Sequence, residues 1–362
     1  MSNAQRVRQP KSAVRSPYDT LEDRAFWRTA VAACDPTAVA GLYRPKFAIT
    51  KDTAIMTAGS CFAQHVHRTL KERAWTVIDT ETPRGLFPRD VLNRFGYAMY
   101  SARYGNIYTV RQLRQLLREA YGDLTPANPV WTRGDRFFDA QRPNVEPDGL
   151  ESAALVREAR ARHLTAICAA LAKADVFVFT LGLTETWMHR DTGTVYPTAP
   201  GTIAGSYDPD VYAFHNATTS EILTDLAAVR AILQTVNPQM KMLLTVSPVP
   251  LTATATPAHV LSASTYSKAV LRAAAGEFCA VHEDVDYFPS FDVITNPAAR
   301  SSFYKDNLRS VEDAGVAAAM RMFFAAHDPQ GADAPPAPHL ETEDNGDDDV
   351  VCEEALIRAT RT

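Results

Sequence analysis

Apolar residues along this chain follow two alternating patterns: short continuous runs, and longer stretches with a helical repeat. Residues 53–58 (TAIMTA), 175–181 (DVFVFTL) and 242–246 (MLLTV) are continuous runs. A run without polar alternation marks a strand covered on both faces, as in a parallel sheet. Residues 75–79 (WTVID) and 285–288 (VDYF) read as two further, shorter strands. After the first run, Phe62, Val66 and Leu70 recur at i, i+4 and i+8, one face of a helix. Leu164, Ile167 and Leu171, at i, i+3 and i+7, likewise share one helical face before residue 175. Thr218 and Glu221 form a capping-box pattern that opens a helix with Ile222, Leu226, Val229 and Leu233 on one face. Ser264 is read as the cap of a helix burying Tyr266, Val270, Ala274 and Phe278. Ser310 is read as the cap of a last helix through Val316, Met320 and Phe324.

Strand–helix alternation of this kind predicts right-handed crossovers and a doubly wound, mainly parallel α/β sheet. Ligands of such sheets bind outside the carboxyl ends of the strands. That rule places Gly59-Ser60-Cys61, residues 182–185 and Ser247-Pro248 along one rim. Residues 81–148, rich in Arg, Pro and aromatics, interrupt the pattern. They are expected to form a helical insertion over the carboxyl-terminal rim, with a helix over 109–120 carrying Leu113, Leu116 and Leu117. Residues 1–17 are polar and basic and predict a disordered arm before a domain over 18–327. The stretch 328–362 turns acidic and predicts a disordered tail, with an amphipathic piece at 353–358 too short to be a stable helix alone.

Composition narrows the function by exclusion. The apolar fraction of 46% and charged fraction of 22% are those of a globular protein. A net charge of -5 offers no basic footprint for nucleic acid. No run of 18 apolar residues exists and the basic N-terminus lacks an apolar stretch, so neither membrane insertion nor a signal peptide is expected. Cys34, Cys61, Cys168, Cys279 and Cys352 are odd in number and scattered, without a CxxC pair. They support neither a disulfide framework nor a metal site, and the expected location is the cytoplasm. The sequence leaves the oligomeric state open.

Chemistry is expected where the first strand turns into its helix. Gly59 permits a tight turn, and the helix N-terminus supplies N–H groups and a positive dipole end. Cys61 in the first helical turn is where thiolates are favoured, and Ser60 is adjacent; the sequence does not say which of the two faces the cleft. His65 lies one turn after Cys61, and helical side chains lean toward the N-terminus, so it is the first candidate base. His215, expected on a loop between strand units, is the second. Arg84, Arg89, Arg94, Arg103, Arg111, Arg114 and Arg118 form either a solvated face or a site for a carboxylate or phosphate, such as that of coenzyme A. No glycine-rich phosphate loop accompanies them.

GSCFA (residues 59–63) is the naming motif of the GSCFA family, itself a distant relative of the SGNH or GDSL hydrolases. YGNIYTVRQL (104–113), TLGLTETW (180–187), VSPVPLT (246–252), TYSKAVLRAAAGEF (265–278) and YFPSFDVIT (287–295) also resemble the family, in order, across residues 16–327. The resemblance implies an SGNH-like, flavodoxin-like three-layer fold, with Cys61 at the nucleophile position and Ser60 where those enzymes carry aspartate. It puts Gly105, with Asn106 beside it, at the oxyanion-binding glycine. Thr184 falls about where an oxyanion-binding asparagine stands, next to Glu185. One departure is clear. SGNH enzymes finish with Asp-x-x-His, whereas FYKDNLRSVEDAGV (303–316) has Asp306 followed by Arg309, and arginine stays protonated and cannot be a base. Arg309 is instead a candidate for holding an anionic part of the substrate.

Two readings follow. In the first, the chain is an acyl-ester hydrolase or O-acyltransferase acting on a carbohydrate or other polar O-acylated substrate. Cys61 attacks, His65 or His215 serves as base, Gly59, Gly105, Asn106, Thr184 and Glu185 surround the carbonyl, and Ser60 and Asp306 orient. Coenzyme A enters only with the transferase form, and no metal is required. In the second reading the chain is a catalytically lapsed binding or scaffold protein in glycan metabolism, and the histidine missing after Asp306 favours it.

Overall fold

The continuous apolar runs become the strands of one parallel sheet in a computed structural model that describes residues 16–39 and 41–330. Chain order runs β1 (Ile55–Gly59), α1 (Phe62–Glu72), α2 (Arg89–Arg94), α3 (Val110–Ala120), β2 (Val130–Arg133), β3 (Arg136–Asp139), α4 (Ala153–Leu171) and β4 (Val176–Leu181). It continues through β5 (Glu185–His189), β6 (Val195–Tyr196), β7 (Tyr212–Asn216), α5 (Thr219–Val236) and β8 (Lys241–Val246). The last elements are α6 (Val260–Val281), β9 (Val285–Tyr287), α7 (Ser290–Ile294) and α8 (Asp313–His327). The expected arm over 1–17, tail over 328–362 and piece at 353–358 lie almost wholly outside the described residues. Among those residues, no helix is long and apolar enough to cross a membrane.

The sheet has the order β1-β4-β8-β9, with Gly59 beside Thr180 and Leu181 beside Val246. Successive side chains point to opposite faces and both faces are covered. Ile55, Val176, Val178 and Leu243 pack with Phe62, Val66 and Leu70 of α1 and with Val316, Met320 and Phe324 of α8. Met56, Ala58, Phe177, Phe179 and Leu244 pack the other way, against residues of α3, α4, α5 and α6. Phe177 and Phe179 are fully buried and stack at 6.1 Å; truncating either to alanine would cost about 3–5 kcal/mol. After α1 the chain bridges the outer edge of β1 at Val77, and it then passes through α4 to β4 on the other side of β1, so the winding reverses there. The carboxyl ends of β1 and β4 flank this switch point, the place where ligands of such sheets bind.

Several expectations need correction. Residues 75–79 form no strand: Val77 makes a single bridge to Ile55, and the chain then leaves to pair Thr80 N with Ser101 O. The insertion is not a helical layer over the rim. Leu113, Leu116 and Leu117 of α3 join the main core, so α3 packs beside α4 and α5, and residues 130–139 form the β2–β3 hairpin. Residues 104–108 cross the rim: Ile107 N donates to Gly59 O at 2.8 Å, and Gly182 N and Leu183 N both donate to Tyr108 O at 3.1 Å. Residues 185–216 build a second, antiparallel sheet in the order β6-β5-β7, so His215 sits on a strand opposite Thr186 and not on a loop.

Two helix starts also move. His259 caps α6, its Nδ1 accepting from Leu261 N at 3.1 Å, which leaves Ser264 a turn inside the helix and Tyr266 45% exposed. Glu312 precedes α8; Ser310 is held by Asn307, which accepts from its N–H and donates to its hydroxyl. The capping box of α5 forms as read, with Thr218 and Glu221 satisfying each other's backbone.

Candidate active site at the β1–α1 turn

At the carboxyl end of β1 the chain turns sharply through Gly59, Ser60 and Cys61. Gly59 has φ +144°, and a Cβ there would lie 2.5 Å from Thr180 O, so only glycine lets β1 run this close to β4. Ser60 N donates to Thr180 O at 3.2 Å. Cys61 opens α1 with helical backbone angles, and its carbonyl accepts from Gln64 N at 3.1 Å. Both side chains lie below the surface, Ser60 2% and Cys61 3% exposed, and Ser60 Oγ is buried without a hydrogen-bond partner.

A polar network seats residues 104–108 against this turn. Tyr100 Oη is shared between Asn106 Oδ1 at 2.5 Å and Ser60 O at 3.3 Å, and Gln64 Nε2 donates to the same Asn106 oxygen at 3.3 Å. Asn106 Nδ2 donates to Tyr108 Oη at 3.0 Å. Gln112 fixes the backbone from α3, donating to Asn106 O at 3.0 Å and accepting from Tyr108 N at 2.9 Å. Gly105 adopts φ +68°, and a Cβ there would lie 2.8 Å from Asn144 Oδ1. Gly105 and Asn106 line a depression with Asn93, Gly96, Met99 and Asn144 of about 10 Å³, room for little more than a water molecule.

The residue that sequence reasoning missed is Lys268 on α6. Its side chain crosses to the rim, only 6% exposed, and Nζ donates to Gly182 O at 2.6 Å. Gly182 in turn is where Ser60 packs: a Cβ on Gly182 would lie 2.8 Å from Ser60 Cβ. Burial brings the Lys268 amine down to about 7; the Cys61 thiol acts to raise it, and Arg309 to lower it further. No carboxylate among the described residues pairs with Lys268. A signal was available, since Lys268 lies four residues after Ser264 and three before Leu271 on the stripe of α6 that the fold buries.

The other candidates are placed as follows. His65 is buried and neutral: its Nδ1 lies 3.0 Å from Arg68 Nη2, and burial, then Arg68 and Lys305, hold its value down to about 3. His215 Nε2 lies 2.9 Å from Glu221 Oε1 and 3.3 Å from Arg111 Nη1, in a second depression of about 10 Å³ lined also by Thr184, Thr186 and Asp225. Neither depression is lined by Ser60 or Cys61. Thr184 spends both its donors, N–H to Ser267 Oγ at 3.0 Å and hydroxyl to Asn216 Oδ1 at 2.6 Å. Glu185 holds the loop before α6, accepting from Thr254 Oγ1 at 2.6 Å and Ala255 N at 3.2 Å.

Asp306 is exposed, whereas Arg309 reaches inward, donating to Pro250 O at 3.2 Å and acting on Lys268. The arginines of the insertion mostly face carboxylates of the same chain: Arg94 meets Asp148, Arg103 meets Glu146, and Arg111 and Arg114 converge on Asp225. No group of three or more metal-ligating side chains occurs among the described residues. Compared with known proteins, residues 54–323 match the model of the GSCFA family, from just before β1 to near the end of α8. No curated protein matches the chain.

Proposed function

We propose that this chain, which belongs to the GSCFA family, is an acyl-ester hydrolase or O-acyltransferase acting on carbohydrates or similarly polar O-acylated substrates. The observation that carries this reading is the place of Cys61: it opens α1 at the switch point, on a turn that only glycine at position 59 allows. A helix N-terminus favours the thiolate, the reactive form of the group. Attack on an ester carbonyl gives an acyl thioester and an alcohol; water or a second hydroxyl then takes the acyl group and restores the thiol. Backbone N–H groups at Cys61 and Gly105 are the donors for the tetrahedral oxyanion. The scattered cysteines fit a cytoplasmic setting. His65 is a weak choice of base, because a ring held neutral to about pH 3 binds protons poorly.

Turnover of p-nitrophenyl acyl esters, with and without coenzyme A, tests the reading against Cys61→Ala. Activity lost in that variant supports it; equal rates in both chains remove it. A second reading, a scaffold without turnover, is favoured by the burial of Cys61 and by Arg309 in the place of the usual histidine.

A further inference from the structure

The geometry points to Lys268 as the proton acceptor and donor of this site, a role that rests on the acyl-transfer reading above. Lys268 comes from α6, far along the chain from the β1–α1 turn, yet its Nζ is fixed at the carbonyl of Gly182, the glycine whose lack of a side chain leaves room for Ser60. A lone buried ammonium is expensive unless something compensates it. The groups acting on it are the Cys61 thiol at the start of α1 and the Arg309 guanidinium in the loop before α8. Arg309 repels a charge on Lys268 and the thiol can supply one of opposite sign. Burial works in the same direction as Arg309, so a substantial share of the amine is free near neutrality.

The steps balance without any further reactant. The neutral Lys268 amine takes the Cys61 proton, giving thiolate and ammonium. Thiolate attacks the ester carbonyl, and the tetrahedral adduct expels the alkoxide, which takes the proton from Lys268. The neutral amine then takes a proton from water or an acceptor hydroxyl as that oxygen attacks the thioester. The departing thiolate recovers this proton from Lys268. His65 and His215 are not needed in any step.

The test follows thiolate ultraviolet absorbance against pH in the full chain, minus the same curve for Cys61→Ala, which isolates Cys61 whatever its access to reagents. With Lys268 present the thiolate should appear below the ordinary thiol value of about 8.5. Lys268→Met is close in length and replaces a lone buried charge by an apolar group, a change that folds tolerate well. There the midpoint should rise by at least one unit, cutting the thiolate fraction at neutral pH by about fivefold or more. Lys268→Arg keeps a charge that cannot give up its proton, so it should keep a low midpoint but lose turnover of alkyl esters, whose leaving groups need that proton, more than of p-nitrophenyl esters.

A wild-type midpoint at or above the ordinary value overturns the role of Lys268 without any variant. So does a midpoint that Lys268→Met leaves in place. If the midpoint moves as stated but the wild-type chain turns over no ester, the Cys61–Lys268 pair stands and the acyl-transfer reading falls. If esters are turned over equally with and without Lys268, the acyl-transfer reading stands and the role of Lys268 falls.

Discussion

Lys268 Nζ donates to the carbonyl oxygen of Gly182 at 2.6 Å, which joins the first half of α6 to the end of β4. The same glycine leaves room for Ser60 on one side and for the Tyr108 backbone on the other. A Cβ at position 182 would lie 2.8 Å from Ser60 Cβ and 2.9 Å from Tyr108 O. The glycine cannot move aside without disturbing the bonds from Gly182 N and Leu183 N to Tyr108 O that seat residues 104–108. Gly182→Ala should therefore cost about 1–3 kcal/mol, read by chemical denaturation. Unchanged stability would show that residues 104–108 are not seated as described.

Acid should weaken the fold before the carboxylates titrate. His65, His67 and His163 are all held down to about 3, in each case mainly by burial. Below the ordinary value of 6.5 the unfolded chain takes up protons that the native histidines refuse. Stability is thus intact above about pH 6.5 and is lost as pH falls toward 3. With three such groups the slope approaches roughly 4 kcal/mol per pH unit. Equilibrium unfolding at pH 7, 6 and 5 checks this, and equal stability at all three would contradict it.

Arg309 does not titrate near neutrality, but it acts on a group that does. Its charge helps to lower the Lys268 amine. Arg309→Ala should move the Lys268 titration to higher pH, as seen by NMR of carbon-labelled lysine. A titration that stays in place or moves to lower pH would show that the guanidinium is not beside the amine.

Glu185 tethers the loop before α6. Its carboxylate receives Thr254 Oγ1 and Ala255 N. Glu185→Ala should speed proteolysis within residues 252–258 while leaving the Cys61 thiolate midpoint where it was. A midpoint shift of a unit would instead put Glu185 in the charge environment of the thiol.

How far the sequence spoke depended on whether each signal was local. The capping box of Thr218 and Glu221 and the face of Ile222, Leu226, Val229 and Leu233 lie within one helix, and all form as read. Ser264 and Ser310 have the chemistry of caps, but a cap also needs a chain that turns there. His259 and the Asn307 turn fixed those points instead. The second sheet went unseen because its strands are short and β5 and β7 are only partly buried, so they lack the continuous apolar runs of the first. His65 has the right spacing from Cys61, yet Arg68, three residues on, takes its Nδ1. Lys268 was hidden by its type, since lysine is ordinarily exposed, although its position on α6 belongs to the buried stripe.

Cys61 is the nucleophile only if the acyl group becomes attached to its sulfur. The direct measurement is peptide mass mapping of the full chain, acid-quenched soon after mixing with a p-nitrophenyl ester. The account predicts an acyl thioester on Cys61, formed with a release of nitrophenol of about one per chain, and no adduct in Cys61→Ala. An adduct on Ser60 would make serine the nucleophile, and an unmodified chain that turns over no ester would leave the scaffold reading in its place.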